Sequence, residues 1–108
     1  MSNAEFLNGL FGMTGQVAVV IGGAGRLGLC LATGLGKNGA KIVVADMGED
    51  ACKAAVDALK AEGIDAIYKT VNVTDKASLV ELREAALSMT GKVDMLVNCA
   101  GINVGNNF

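Results

Sequence analysis

Gln16-Val17-Ala18-Val19-Val20-Ile21-Gly22-Gly23-Ala24-Gly25-Arg26-Leu27-Gly28 is the stretch on which the reading of this chain turns. Its first six residues are nearly all apolar and β-branched, which suits a strand buried on both faces, and such strands belong to parallel sheets. Glycines follow at once. Leu27, Leu31 and Leu35 then recur at helical spacing until Asn38 and Gly39 stop the pattern, predicting an amphipathic helix of about three turns. The opening unit is strand, glycine turn, helix.

The unit repeats along the chain. Lys41 to Asp46 is a second apolar strand, and Cys52, Ala55, Val56 and Leu59 make the apolar face of a helix ending at Gly63. Ile67 to Val73 is a weaker third strand, followed by a helical stripe of Leu79, Leu82, Ala86 and Met89 that stops at Gly91. Val93 to Asn98 is a fourth strand. Strands alternating with helices over short links predict an α/β fold, a Rossmann-like doubly wound parallel sheet covered on both faces with strand order 3-2-1-4. In the longer order of such sheets strand four is interior, so the fold is expected to be truncated after it. Its outer edge would then await further chain or another molecule.

Composition narrows the function classes. At 108 residues, 52% of them hydrophobic, the chain has room for one domain with a real core. A net charge of -2 without charge runs offers no basic face for nucleic acid. With no histidine, metal sites and Ser-His or Cys-His catalysis lose their usual base, and no metal is expected. Cys30, Cys52 and Cys99 are odd in number and widely spaced, as in a protein kept reduced, and neither a leader segment nor a membrane-length apolar run is read. The expectation is a cytoplasmic protein off the membrane. Ser2, Asn3 and Ala4 look like the scar of a cleaved expression tag, so residues 1–4 are set aside and 5–108 taken as the domain.

Gly23, Gly25 and Gly28 match G-x-G-x-x-G between a strand and a helix, with Gly22 in front and Asp46 at the end of the next strand. Each part has a physical purpose. A tight turn needs a residue free to take positive φ, a pyrophosphate needs backbone N–H groups it can approach without a Cβ in the way, and helix-on-strand packing needs a small residue at Gly28. The phosphates would sit at the positive end of the helix dipole. Glycine spacing alone is a weak sign in so glycine-rich a chain; strand before, helix after and an acid on the next strand favour dinucleotide binding over a merely connecting turn. Asp46 would accept hydrogen bonds from both hydroxyls of an adenosine ribose and repel a 2'-phosphate, which favours NAD(H) over NADP(H). The plain alternative is a solvated strand-end Asp, with or without a capping bond to the next helix. Arg26, a guanidinium inside the loop, is the feature that speaks for NADP(H).

The chain resembles the short-chain dehydrogenase/reductase family from about residue 13 to 103. Thr14 to Gly28 is similar to that family's opening strand and glycine loop, Asn72-Val73-Thr74-Asp75 to its Asp-Val segment, and Val97-Asn98-Cys99-Ala100-Gly101 to its Asn-Asn-Ala-Gly motif. The departures are Ile21 in place of a Thr, Arg26 in place of a middle glycine, Asn72 in place of an Asp and Cys99 in place of an Asn, although Gly22, Gly25 and Gly28 fit a G-x-x-G-x-x-G variant. The resemblance implies that Gly22, Gly23, Ala24, Gly25, Arg26, Leu27 and Gly28 hold the pyrophosphate and that Asp46 and Met47 hold the adenosine ribose. Asn72 and Val73 would hold the adenine, and Asn98, Ala100 and Gly101 the side nearer nicotinamide. For Asn98, Ala100 and Gly101 the plain alternative is a strand end and turn.

The resemblance also implies a hydride-transfer enzyme acting on an alcohol, sugar or ketone as a homo-oligomer, with a Ser and a Tyr-x-x-x-Lys pair as its acid/base machinery. The lone tyrosine, Tyr68, is followed by Asn72 at the fourth position and reads as a partly buried strand residue. No residue here is assigned a catalytic role, and the chain by itself is expected to be inactive. The rival from another class is a noncatalytic NAD(H) sensor that pairs with a partner through strand four. A methyltransferase or flavoprotein with a related glycine loop is a weaker third reading, because it gives no reason for Asn98-x-Ala100-Gly101.

Overall fold

The structure is a computed structural model that describes residues 12–99 together with residues 2, 3 and 5. Strand β1 (Val17–Ile21) leads through the glycine turn into helix α1 (Arg26–Lys37), followed by β2 (Lys41–Asp46), α2 (Glu49–Ala61), β3 (Ala66–Thr70), α3 (Lys76–Thr90) and β4 (Met95–Asn98). The four strands form one parallel sheet in the order β3-β2-β1-β4, as the alternation predicts. Register places Val19 beside Val43 on one side and Leu96 on the other.

Side chains alternate across the pleat, so β1 and β2 feed two cores at once. Ala18, Val20, Ile42 and Val44 pack with Ala32 of α1 and with Cys52, Ala55, Val56 and Leu59 of α2. Val17, Val19, Ile21, Val43 and Ala45 pack on the opposite face with Val71 and with Leu82 and Ala86 of α3. All five residues of β1 are buried, which is why its sequence shows no polar alternation.

Helix α1 departs from the expected face. Leu27 and Leu31 are 64% and 40% exposed, and the buried positions are Gly28 and Ala32, with Leu29 and Leu35 partly packed against the core. The helix lies too close to the sheet for bulky residues. A Cβ at Gly28 would run into the Gly22 carbonyl oxygen, and one at Gly36 would meet Ile64 side-chain carbons from 2.5 Å. Small residues therefore hold the contact while the leucines flank it.

Two strands are shorter than the apolar runs suggest. At the third, β2 stops at Asp46, whose carbonyl still accepts from the Val71 N–H, and beyond it Asn72 and Val73 have no neighbouring strand among the described residues. At the fourth, Asp94 takes the place of ladder pairing: its N–H donates to the Val17 carbonyl while its carboxylate accepts from the Val17 N–H at 2.8 Å. Among the described residues β4 pairs only with β1, and Leu96 is 65% exposed. No helix among them is long and apolar enough to cross a membrane.

Candidate functional site

In a doubly wound sheet the strand order reverses between the first strand and its outer neighbour, and the carboxyl ends there open a crevice. Here that point lies between β1 and β4. A cleft of about 670 Å3 occupies it, lined by Gly22 and Gly25 of the turn, Asp46 and Met47 after β2, Asn72 and Val73 after β3, and Asn98 and Cys99 after β4. A recess of about 330 Å3 adjoins it, where Met47 and Asn72 meet Asp75, Ser78 and Glu81 at the start of α3.

The turn is built by its glycines in distinct ways. Gly22 alone among residues 22–28 takes positive φ, at 81°, so the G-x-x-G-x-x-G frame supplies the tight turn. Gly22 and Gly23 donate to the Ala45 carbonyl, and a Cβ at Gly23 would stand 2.8 Å from the Val20 oxygen. Gly25, the N-cap of α1, has no side chain to cap the helix, and the first turn carries no acid. The N–H groups of Arg26, Leu27 and Gly28 are left without an intrahelical acceptor by helix geometry. Uncapped donors at the positive end of a helix suit an anion, and the glycines around them leave room for it to approach.

Asp46 ties the strand end to this turn. One carboxylate oxygen accepts from the Ala24 N–H at 3.1 Å and the other from the Met47 N–H at 2.8 Å. It does not cap α2, whose N-cap is Gly48 without a side-chain bond. Asn72 donates its own N–H to Ser78 Oγ at 2.9 Å, and its Oδ1 accepts from both the Thr74 N–H at 3.1 Å and Thr74 Oγ1 at 2.7 Å.

The cleft therefore gathers Gly22, Gly25, Asp46, Met47, Asn72, Val73 and Asn98 from the sequence-derived set. Gly23 and Gly28 are buried in the turn-to-helix packing instead, Ala24 meets Asp46 through its backbone, and Arg26 and Leu27 stand exposed on the first turn. Ala100 and Gly101 lie outside the described residues. Ile21, Val71, Thr74 and Cys99 line the cleft without having been singled out as binding residues. Their signal was positional, since each stands at or just beyond a strand's carboxyl end.

Tyr68 is half-buried on the face of the sheet that carries α1 and α2, and its hydroxyl donates to Glu49 at 3.2 Å. Desolvation pushes its pKa above the usual tyrosine value, helped by Glu49 and opposed by Lys53, which fits a structural residue outside the cleft. Burial likewise raises the Cys52 thiol, with the Asp46 charge adding to it, so a thiolate is disfavoured there. Among the described residues no cluster of three or more Cys, Asp or Glu could hold a metal ion.

The profile of the short chain dehydrogenase family matches residues 16–108. The chain belongs to that family. It is 40% identical over 102 residues to the 5-keto-D-gluconate 5-reductase of Escherichia coli strain K12, an alignment covering 94% of this chain and 40% of that protein. The crystal structure of 2-keto-3-deoxy-D-gluconate dehydrogenase from Streptococcus agalactiae superposes with a TM-score of 0.84 at 31% identity, covering 94% of this chain and 38% of the other. L-Sorbose reductase from Gluconobacter frateurii, complexed with NADPH and L-sorbose, superposes with a TM-score of 0.82 at 33% identity over 87% of this chain and 36% of its own. The chain thus spans about 40% of the length of these three relatives.

Proposed function

We propose that this chain is the cofactor-holding part of an NAD(H)-dependent oxidoreductase acting on an alcohol, sugar or ketone. The observation that carries this reading is Asp46: a carboxylate at the end of β2, hydrogen-bonded to the glycine turn and facing the cleft at the sheet's switch point. The first-turn N–H groups of α1 hold the pyrophosphate, Asp46 and Met47 the adenosine ribose, Asn72 and Val73 the base, and Asn98, Ala100 and Gly101 the nicotinamide end. Bound there, the cofactor supplies or takes up a hydride. This chain's residues orient it and contribute none of the acid/base groups, since the sequence holds no Tyr-x-x-x-Lys. Keto-sugar and sugar-acid enzymes among the relatives support a small polar substrate. The family resemblance supports a homo-oligomer, and three unpaired cysteines suit the reducing cytoplasm.

NADP(H) is the second reading, favoured by the exposed Arg26 on the first turn and by the NADPH held by L-sorbose reductase. Calorimetric titration of the chain with NAD and with NADP separates the two. The expected result is tighter NAD binding, with Asp46→Ala weakening NAD by roughly tenfold or more, as the loss of charge-assisted hydrogen bonds requires, and shifting the preference toward NADP. An unchanged NAD-to-NADP ratio in the variant would overturn the NAD assignment.

A further inference from the structure

Of the five methionines in the sequence, the fold sets one apart. Met1 lies outside the described residues. Met13 and Met95 are partly buried against the core on the α1 and α2 face of the sheet, and Met89 is partly buried against the core under α3. Met47, directly after β2, is 72% exposed. Its N–H donates to Asp46 Oδ1 at 2.8 Å, which fixes the backbone that carries it at the strand end. Met47 lines both the cleft and the recess that adjoins it, a place it shares with the buried Val71 and with Asn72. The Met47 side chain is therefore the exposed apolar surface at the junction of the two spaces, and a ligand filling either one covers it.

A thioether is soft, polarisable and apolar, and it packs well against a sugar face or a flat base. It is also a group that an oxidant alters without breaking the chain. When a peroxide reaches it, a sulfur lone pair attacks one peroxide oxygen and the O–O bond breaks. The transferred oxygen gives its proton to the departing hydroxide, which leaves as water; the sulfur is oxidised by two electrons to the sulfoxide and the peroxide is reduced. The sulfoxide is polar, so covering it with a ligand carries a desolvation cost that the thioether does not. We propose that Met47 is a peroxide-sensitive modification site that controls occupancy of the cofactor cleft: its oxidation weakens dinucleotide binding, and a bound dinucleotide shields it. This rests on the dinucleotide reading above and adds a regulation to it.

The test treats the chain with hydrogen peroxide, with and without saturating NAD, and then with a thiol reductant, which returns disulfides and sulfenic acids to thiols and leaves the sulfoxide in place. Peptide mass mapping is expected to find the added oxygen on Met47 before Met13, Met89 or Met95, and to find it suppressed by NAD. Calorimetry is expected to show NAD bound about fourfold more weakly after treatment, the effect of losing roughly one methylene of buried apolar contact. Methionine sulfoxide reductases should restore it. Met47→Leu cannot form the sulfoxide; whatever its own affinity for NAD, that affinity should be the same before and after peroxide. An equal loss in Met47→Leu would overturn the inference and move the sensitive group to Cys99, which also lines the cleft. Oxidation of Met47 no faster than that of the packed methionines, or without effect on NAD affinity, would overturn it as well. Failure of the untreated chain to bind NAD would overturn the NAD reading and this inference with it.

Discussion

Replacing Gly28 by alanine tests the packing on which the phosphate turn depends. In a solvated helix this change would stabilise by about 1 kcal/mol, because glycine is the poorer helix former. At Gly28 the new methyl would collide with the Gly22 carbonyl oxygen and stand 2.8 Å from both the Gly22 carbonyl carbon and the Gly23 Cα. Comfortable carbon contacts lie near 3.5–4.0 Å, so α1 and the turn must separate by roughly 1 Å. The obstacle is backbone, which no rotamer change can move aside, and overpacking of this kind costs about 1–3 kcal/mol. Taking the upper part of that range and offsetting the helix gain leaves a net loss of about 2 kcal/mol. Urea unfolding should show it as a midpoint lowered by roughly 1–2 M at unchanged slope. Gly34→Ala on the same helix is the control: a Cβ there meets nothing within 4 Å, so the midpoint should rise. If the two substitutions shift stability in the same direction, the close approach of α1 to the turn is not what selects glycine at position 28.

Other consequences follow from the same geometry. The N–H of Val17 chiefly, and Lys92 beside it, hold the Asp94 carboxyl below its ordinary 3.8 against the opposing effect of desolvation. The unfolded chain therefore takes up this proton at a higher pH than the native chain does. The stabilisation is present above about pH 3.8 and is lost as pH falls through the lower native value. Asp94→Asn should be less stable than wild type at pH 7, with the gap closing in strong acid; a gap that persists unchanged in urea titrations well below pH 3.8 would refute the linkage. On α1, Leu31→Gln should shift stability by no more than about 0.5 kcal/mol, as at other exposed positions. Ala32→Leu should cost about 1–3 kcal/mol by overpacking, and the reverse ranking in thermal melts would restore the leucine stripe as the buried face.

Much of the fold was legible because its signals are local and periodic. A strand buried on both faces has to be apolar throughout, so Val17 to Ile21 identified a parallel sheet. The apolar face of α2 needed only helical spacing, and Cys52, Ala55, Val56 and Leu59 are all buried. The glycine turn and Asp46 were found as a pair because the distance between them along the chain is fixed by one helix and one strand, and that same distance brings Asp46 to the Ala24 N–H. The ends of β3 and β4 were not legible. They depend on where a neighbouring strand stops, which no apolar run records.

What the sequence determined by itself was the kind and order of the elements, since periodicity, glycine turns and helix stops are properties of neighbouring residues. Tertiary structure decided which face of α1 is buried, because the distance between helix and sheet, set by backbone meeting backbone at Gly22 and Gly28, outweighs the hydrophobicity of Leu27 and Leu31. It also decided how the loop after β3 is held. The Asn72 amide could face either way in isolation, and only the folded loop, by placing the Thr74 N–H and hydroxyl against one end, fixes Oδ1 there.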